Sequence, residues 1–160
     1  MVVKRNFLIP SLFLVAIFLS ILPFPATLKS FLPEWVPLLV LFFSVMNPER
    51  VSIFLALILG LILDSLSGSL LGQHALALVI VFSICIKFHL IVRVFPIWQL
   101  NTFIILMLII YEFILFWIDG AVGNNVPIAE RIFPIISSIL VWPVILRWLP
   151  ALKDDAGNRE

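Results

Sequence analysis

Apolar residues fill the chain in six runs, parted by short breaks rich in proline, glycine and charge. A helix that crosses a bilayer needs about 20 apolar residues. The first run, 6–22, stops at Pro23 and Pro25, which cannot donate to a helix ladder. The second, 33–46, is short for a full crossing; it either thins the bilayer or is shielded by neighbouring helices. Asn47-Pro48-Glu49 reads as a helix start, with Asn as N-cap, Pro at the first helical position and an acid in the first turn. A third helix is therefore predicted over 48–66, broken by Ser67-Gly68-Ser69. Runs 73–92, 99–118 and 131–149 complete the set. Asp119 to Val126 reads as a polar loop, and Pro143 should kink the last helix by removing a ladder bond to Ile139. Residues 151–160 read as a disordered tail.

The expected fold is thus an all-α bundle of six transmembrane helices forming one domain, 1–150. Composition agrees: 63% of residues are hydrophobic and only 12% charged, about half the charged share of a soluble domain. The run after Lys4 and Arg5 lacks the small-residue cleavage site of a secretory signal, so it reads as a retained span. With the N-terminus inside, eight of the ten basic residues fall on the cytoplasmic side, leaving Lys29 and Arg131 outside. That bias favours six spans, with both termini cytoplasmic. Trp35, Trp98, Trp117 and Trp148 lie near the predicted span ends, where indoles favour the interface. A net charge of +1 lends no support to nucleic-acid binding, and the lone Cys85 excludes an internal disulfide or a cysteine metal cluster.

The most informative stretch is Ala56 to His74. Ala56, Gly60, Asp64, Gly68 and Gly72 recur every four residues, which puts Ala56, Gly60 and Asp64 on one helix face. Small residues admit a second helix closely, and an ionisable group in a membrane must face protein or water. The stripe is therefore expected to receive another helix. Asp64 itself has three readings: a hydrated cap on the Ser67-Gly68 break, a buried anchor bonded to the amides of the following loop or to a partner helix, or a catalytic carboxylate. Glu112 lies amid apolar residues and should face the bundle interior, with His74, Arg50, Ser137 or Ser138 as candidate partners. His74 opens the fourth helix as an interfacial polar residue or a ligand group. His89, with Lys87 and Arg93, forms a basic rim suited to anionic headgroups or a cytoplasmic partner. Ser65, Ser67 and Ser69 lack a histidine motif for a serine protease, and Asp64 with Glu112 lacks the setting of an aspartyl dyad. No zinc-protease, phosphate-loop or dinucleotide motif occurs, and no cofactor or metal is expected.

Several of these residues also carry a family likeness. Leu22-Pro23-Phe24-Pro25, Leu32-Pro33-Glu34-Trp35, Pro48-x-Arg50-Val51, Gly60-x-x-x-Asp64, Ser67-Gly68-Ser69-x-Leu71-Gly72, Ala75-Leu76, Glu112 with Phe116-Trp117, and Trp142-Pro143 together resemble the rod shape-determining MreD family along nearly the whole chain. Where that family usually has Arg-Pro ahead of the Trp, this chain has Leu32-Pro33, so a partner contact made by that arginine is either absent here or supplied by Lys29. The resemblance implies a non-enzymatic inner-membrane scaffold of the cell-elongation complex. Its implied partners are MreC, bound through its single span, the MreB filament system, cell-wall synthases and membrane lipids. It also implies a fold like the substrate-binding subunits of energy-coupling-factor transporters. That likeness supplies the rival reading, a small-molecule-binding membrane subunit of a transporter. In the scaffold reading, Ala56 and Gly60, closed by Asp64 and the glycines 68 and 72, would receive the MreC span, with Arg50 at the other end of the same helix.

Overall fold

The computed structural model describes residues 2–23, 25, 31–124 and 126–148. These form six α-helices and one 3-10 turn: α1 (Val2–Ile21), α2 (Trp35–Met46), the turn Pro48–Arg50, α3 (Ile53–Ser67), α4 (Gln73–Val92), α5 (Ile97–Val122) and α6 (Ile128–Trp148). The expected disordered tail and Lys29 lie outside the described residues.

Among the described residues, three helices are long and apolar enough to cross a membrane, spanning Gln73–Val92, Ile97–Val122 and Ile128–Arg147. The chain is an all-helical membrane bundle. Its centre is α2, in which every residue from Val36 to Met46 is buried. At 12 residues α2 is only about 18 Å long, against a hydrocarbon core of about 30 Å. It is enclosed by α1, α4, α5 and α6. Phe43 packs on Phe13 of α1 at 5.6 Å, and Phe42 meets the buried Trp142 of α6 edge-on at 6.3 Å. The most extensive helix pairing is α3 with α4. The outer faces carry large exposed apolar side chains such as Phe54, Leu90, Phe113 and Leu140, as lipid-facing surfaces do.

Four boundaries differ by three residues or more from the sequence expectation. The first helix begins at Val2, not at residue 6. The third helix begins at Ile53, not Pro48. Pro48–Arg50 make a single 3-10 turn, Val51 and Ser52 are extended, and the Ser52 hydroxyl accepts from Leu55 N at 3.3 Å, while Asn47 makes no side-chain cap. Buried Val51 draws the chain into the core at that point, so the helix restarts after it. The fifth helix continues past Ile118 through Asp119 and Gly120 to Val122, because Asp119 is buried and bonded rather than hydrated. The last starts at Ile128, three residues before Arg131, and stays helical through Pro134 and Pro143.

Candidate functional site

The α3–α4 hairpin is built on Asp64. Gly68 takes a left-handed conformation (φ 66°) that ends α3, and Gly72 (φ 99°) turns the chain back into α4. Only glycine adopts both without strain. The return aims backbone donors at the Asp64 carboxylate: Gly72 N and His74 N each donate at 2.8 Å, and Ala75 N lies at 3.4 Å. The Ser69 hydroxyl donates to the same carboxylate at 3.0 Å, and His74 Nδ1 sits 2.8 Å from it. The first N–H groups of a helix have no partner within the helix, and the helix dipole favours a negative charge beside them. Asp64 thus caps α4 from across the hairpin, and its side chain is fully buried. Of the readings open in the sequence, the structure realises the buried anchor on the loop amides.

The small stripe below Asp64 faces the same way. Ala56 is fully buried, and a Cβ at Gly60 would stand 2.5 Å from Ala75 N and 2.9 Å from the His74 carbonyl carbon. The stripe expected to receive a partner helix therefore receives α4 of its own chain. That corrects the sequence expectation for Ala56, Gly60 and Asp64: the four-residue spacing announces a close approach, and the helix that approaches follows immediately in the chain.

A second polar cluster ties the same end of the bundle together. Arg131, at the start of α6, holds Glu112 of α5 at 3.0 Å through Nη1 and Asp119 of α5 through Nη2. Gln73 of α4 donates to Asp119 at 3.0 Å and lies 3.5 Å from the Leu115 carbonyl. Ser138 of α6, fully buried, accepts from Glu34 N at 2.9 Å, which fixes the start of α2. Glu34 stands close enough to Glu112 and Arg131 to feel both charges. Glu112 and Asp119 thus each have a bonded cation beside them, as buried charges need, though the one guanidinium balances only one of their two charges. The ring of Tyr111, also fully buried, lies 6.3 Å from that of His74.

Glu112 does face the interior, but its partner is Arg131 rather than His74, Arg50, Ser137 or Ser138. Arg131, Asp119 and Gln73 were not singled out in the sequence. Glu112 and Asp119 are seven residues apart, two turns along one helix face; that signal was hidden because Asp119 read as loop. Arg50 lies at the opposite end, half-buried on the 3-10 turn beside the exposed Glu49.

The Asp64–His74–Ser69 group invites comparison with a hydrolase triad. In a triad the serine bonds one ring nitrogen and the carboxylate the other. Here Ser69 Oγ, at 3.3 Å, and Asp64, at 2.8 Å, both face Nδ1, and Ser69 donates to Asp64. The arrangement holds a turn together and leaves the hydroxyl no base. Among the described residues, no group of three or more His, Cys, Asp or Glu side chains is placed to hold a metal ion.

Comparison with known proteins gives a consistent result. The family model described as rod shape-determining protein MreD matches residues 2–151. A curated relative, the rod shape-determining protein MreD of Haemophilus influenzae, is 31% identical over 137 residues, covering 86% of this chain and 85% of its own. No solved structure matches.

Proposed function

The chain belongs to the MreD family of rod shape-determining proteins, and from that premise we propose that it is a non-enzymatic scaffold of the bacterial cell-elongation complex. In this reading it sits in the inner membrane with both termini cytoplasmic. It binds the single span of MreC through a lipid-facing side and so connects cell-wall synthases outside to MreB filaments inside. The observation that carries the reading is the internal use of polar groups. Asp64, Ser69, Gln73, Glu112, Asp119 and Arg131 all bond within the chain. What the bundle offers outward in the membrane is apolar side chain, the material of helix–helix association in lipid.

The rival transporter reading needs an enclosed site for a solute. The polar cavity at the Glu34–His74 end, lined also by Trp35 and Ser67, has a volume of about 120 Å³. Small-molecule sites run to roughly 300–1,000 Å³, so this cavity suits a few waters rather than a vitamin-sized solute.

The correction at Gly60 redirects the test. Photocrosslinking residues belong on exposed positions, one per outward face: Phe54 of α3, Leu90 of α4, Phe113 of α5 and Leu140 of α6. In live rod-shaped cells, adducts to the MreC span from one face and not the others are expected. If none of the four captures MreC while the cells keep their shape, direct binding through the span is wrong. Adducts to a transporter coupling subunit would restore the rival.

A further inference from the structure

Five helices meet at the polar cavity of about 120 Å³ beside Glu34. Ser20 of α1, Trp35 of α2, Ser67 of α3, His74 of α4 and Pro134 of α6 line it together with Glu34. Ser67 is exposed, so the cavity opens at the end of the bundle where α3 turns back into α4.

Charge is out of balance there. Glu34, Asp64, Glu112 and Asp119 bring four carboxylates to this end, against Arg131 and one histidine. Asp64 is bonded by His74 and by backbone amides, and Glu112 and Asp119 are bonded by Arg131. Among the described residues, no donor bonds the carboxylate of Glu34, which feels Glu112 and Arg131 only through space. Negative charge held away from water without a partner is neutralised by taking up a proton.

Donors are out of balance too. Trp35 Nε1, Tyr111 Oη and Arg131 Nε are buried and have no hydrogen-bond partner among the described residues. Trp35 lines the cavity. Tyr111, fully buried, stands behind its wall, with its ring 6.3 Å from that of His74 and its hydroxyl within the field of Glu34. Buried polar groups of this kind are bonded by protein or by ordered water.

The two imbalances together select the occupant. An anion would accept from the indole, but the carboxylates repel it. A metal or ammonium ion would pair with Glu34 but accepts nothing from an indole N–H. Water does both. At about 30 Å³ each, about four waters fit, and the Ser67 hydroxyl and the His74 ring supply further polar partners.

We propose that this cavity holds a cluster of water open to the solution at that end, through which the carboxylate of Glu34 binds one exchangeable proton. The proton comes from that solution, adds to one carboxylate oxygen and leaves by the same route; no other bond forms or breaks. Facing Glu34 are Tyr111 and Glu112 of α5, Arg131 of α6 and His74 of α4, with Asp64 of α3 behind His74; the α1 wall supplies Ser20, which does not titrate. Glu34 immediately precedes α2, and its amide is held by Ser138 of α6. The bound proton therefore makes the fixed start of α2 responsive to acidity at this face.

Infrared difference spectroscopy of the full chain in lipid nanodiscs tests this, because a protonated carboxyl gives a C=O band apart from that of a carboxylate. Ordinary Asp and Glu side chains are ionised near neutral pH. A carboxylic-acid band that persists at neutral pH and disappears in alkali is expected. Glu34→Gln should abolish it and Glu34→Asp should displace it, whereas Glu130→Gln, exposed at the same end, should leave it unchanged. Transfer to D2O should shift the band within the mixing time. Ser67→Phe at the mouth should slow that shift severalfold, and Ser65→Phe, exposed on the same helix but away from the cavity, should not. A band that survives Glu34→Gln would put the proton on another carboxyl. No band near neutral pH, or one that appears only in Lys29→Gln, would give the compensating charge to a cation. A D2O shift as fast in Ser67→Phe as in the wild type would remove the water route. Each of these results overturns the proposal.

Discussion

Replacing Gly60 by alanine sets helix propensity against tertiary packing, with opposite signs. Gly60 lies inside α3, and by propensity alone the exchange should stabilise the helix by about 1 kcal/mol. The structure says otherwise. The added Cβ would stand 2.5 Å from Ala75 N and 2.9 Å from the His74 carbonyl carbon, and would overlap Ala75 Cα. All three are backbone atoms, so no side chain can rotate away. Carbon atoms pack at about 3.5–4.0 Å, so α3 and α4 must part by on the order of 1 Å. Overpacking of this kind costs about 1–3 kcal/mol. The same movement lengthens the 2.8 Å bonds from Gly72 N and His74 N to Asp64, and a hydrogen bond to a charged group contributes about 1.5–3 kcal/mol. The net expectation is a loss of about 2–4 kcal/mol, after about 1 kcal/mol of propensity is set against it. Gly120→Ala is the matched control. It too lies in a helix, but nothing stands within 4 Å of its Cβ, so it should be neutral or gain up to about 1 kcal/mol. Reversible unfolding in mixed micelles of rising sodium dodecyl sulfate, followed by tryptophan fluorescence, reads both. Gly60→Ala at or above wild-type stability would refute the packing argument, because no other contact compensates for that overlap.

The remaining expectations use the same assay. Asp64→Asn keeps one acceptor oxygen but offers an amide to donors that face it, so a loss of about 2–4 kcal/mol is expected; a loss under about 0.5 kcal/mol would mean the anchor is decorative. Arg131→Met strands the buried pair Glu112 and Asp119 and should cost about 3–5 kcal/mol, and adding Glu112→Gln and Asp119→Asn should restore most of it. Failure of the triple variant to recover would place the role of Arg131 outside that pair. Ser52→Ala removes the observed cap of α3 and should cost about 1 kcal/mol; no measurable loss would return the cap to Asn47. In cells, Gly60→Leu or Asp64→Leu should weaken MreC co-purification and round the cells. Because these residues pack inside the chain, that loss should track the stability loss, and normal stability with lost binding would contradict the internal placement.

The sequence was most legible where chemistry is scarce. In a chain with so few charges, Asp64 among glycines at helical spacing stood out as a cap, an anchor or a site, and the four-residue period marked the face it serves. The identity of the approaching helix was not legible, because spacing records the close approach and not the neighbour. Glu112 shows a related limit. Its burial followed from flanking apolar residues, but its partner is 19 residues away across a turn, beyond the reach of any helix periodicity. Asp119 was read as loop because an acid after an apolar run ordinarily meets water. Arg131 and Gln73 make it a helix residue instead. The start of α3 was displaced for a local reason: Pro48 begins a helical turn, but burial of Val51 interrupts it.

These corrections change what kind of surface can carry a shape-determining role. Every buried charge described at the Asp64–Arg131 end is used to join helices: Asp64 joins α3 to α4, and Arg131 joins α6 to α5, which Gln73 ties in turn to α4. Such charge networks resist sliding of one helix past another, since any shift leaves a charge in hydrocarbon without its partner. The opposite end, at Arg50, is different: there α1 and α3 stand apart around an apolar cleft. The bundle is thus pinned at one end and open at the other. A partner that reads the pinned end meets a fixed shape, whereas anything that fills or empties the cleft can change the angle between α1 and α3 with no ion pair among the described residues broken. Variation in the α1–α3 angle, with the Asp64 and Arg131 contacts unchanged, is the conformational freedom this architecture permits.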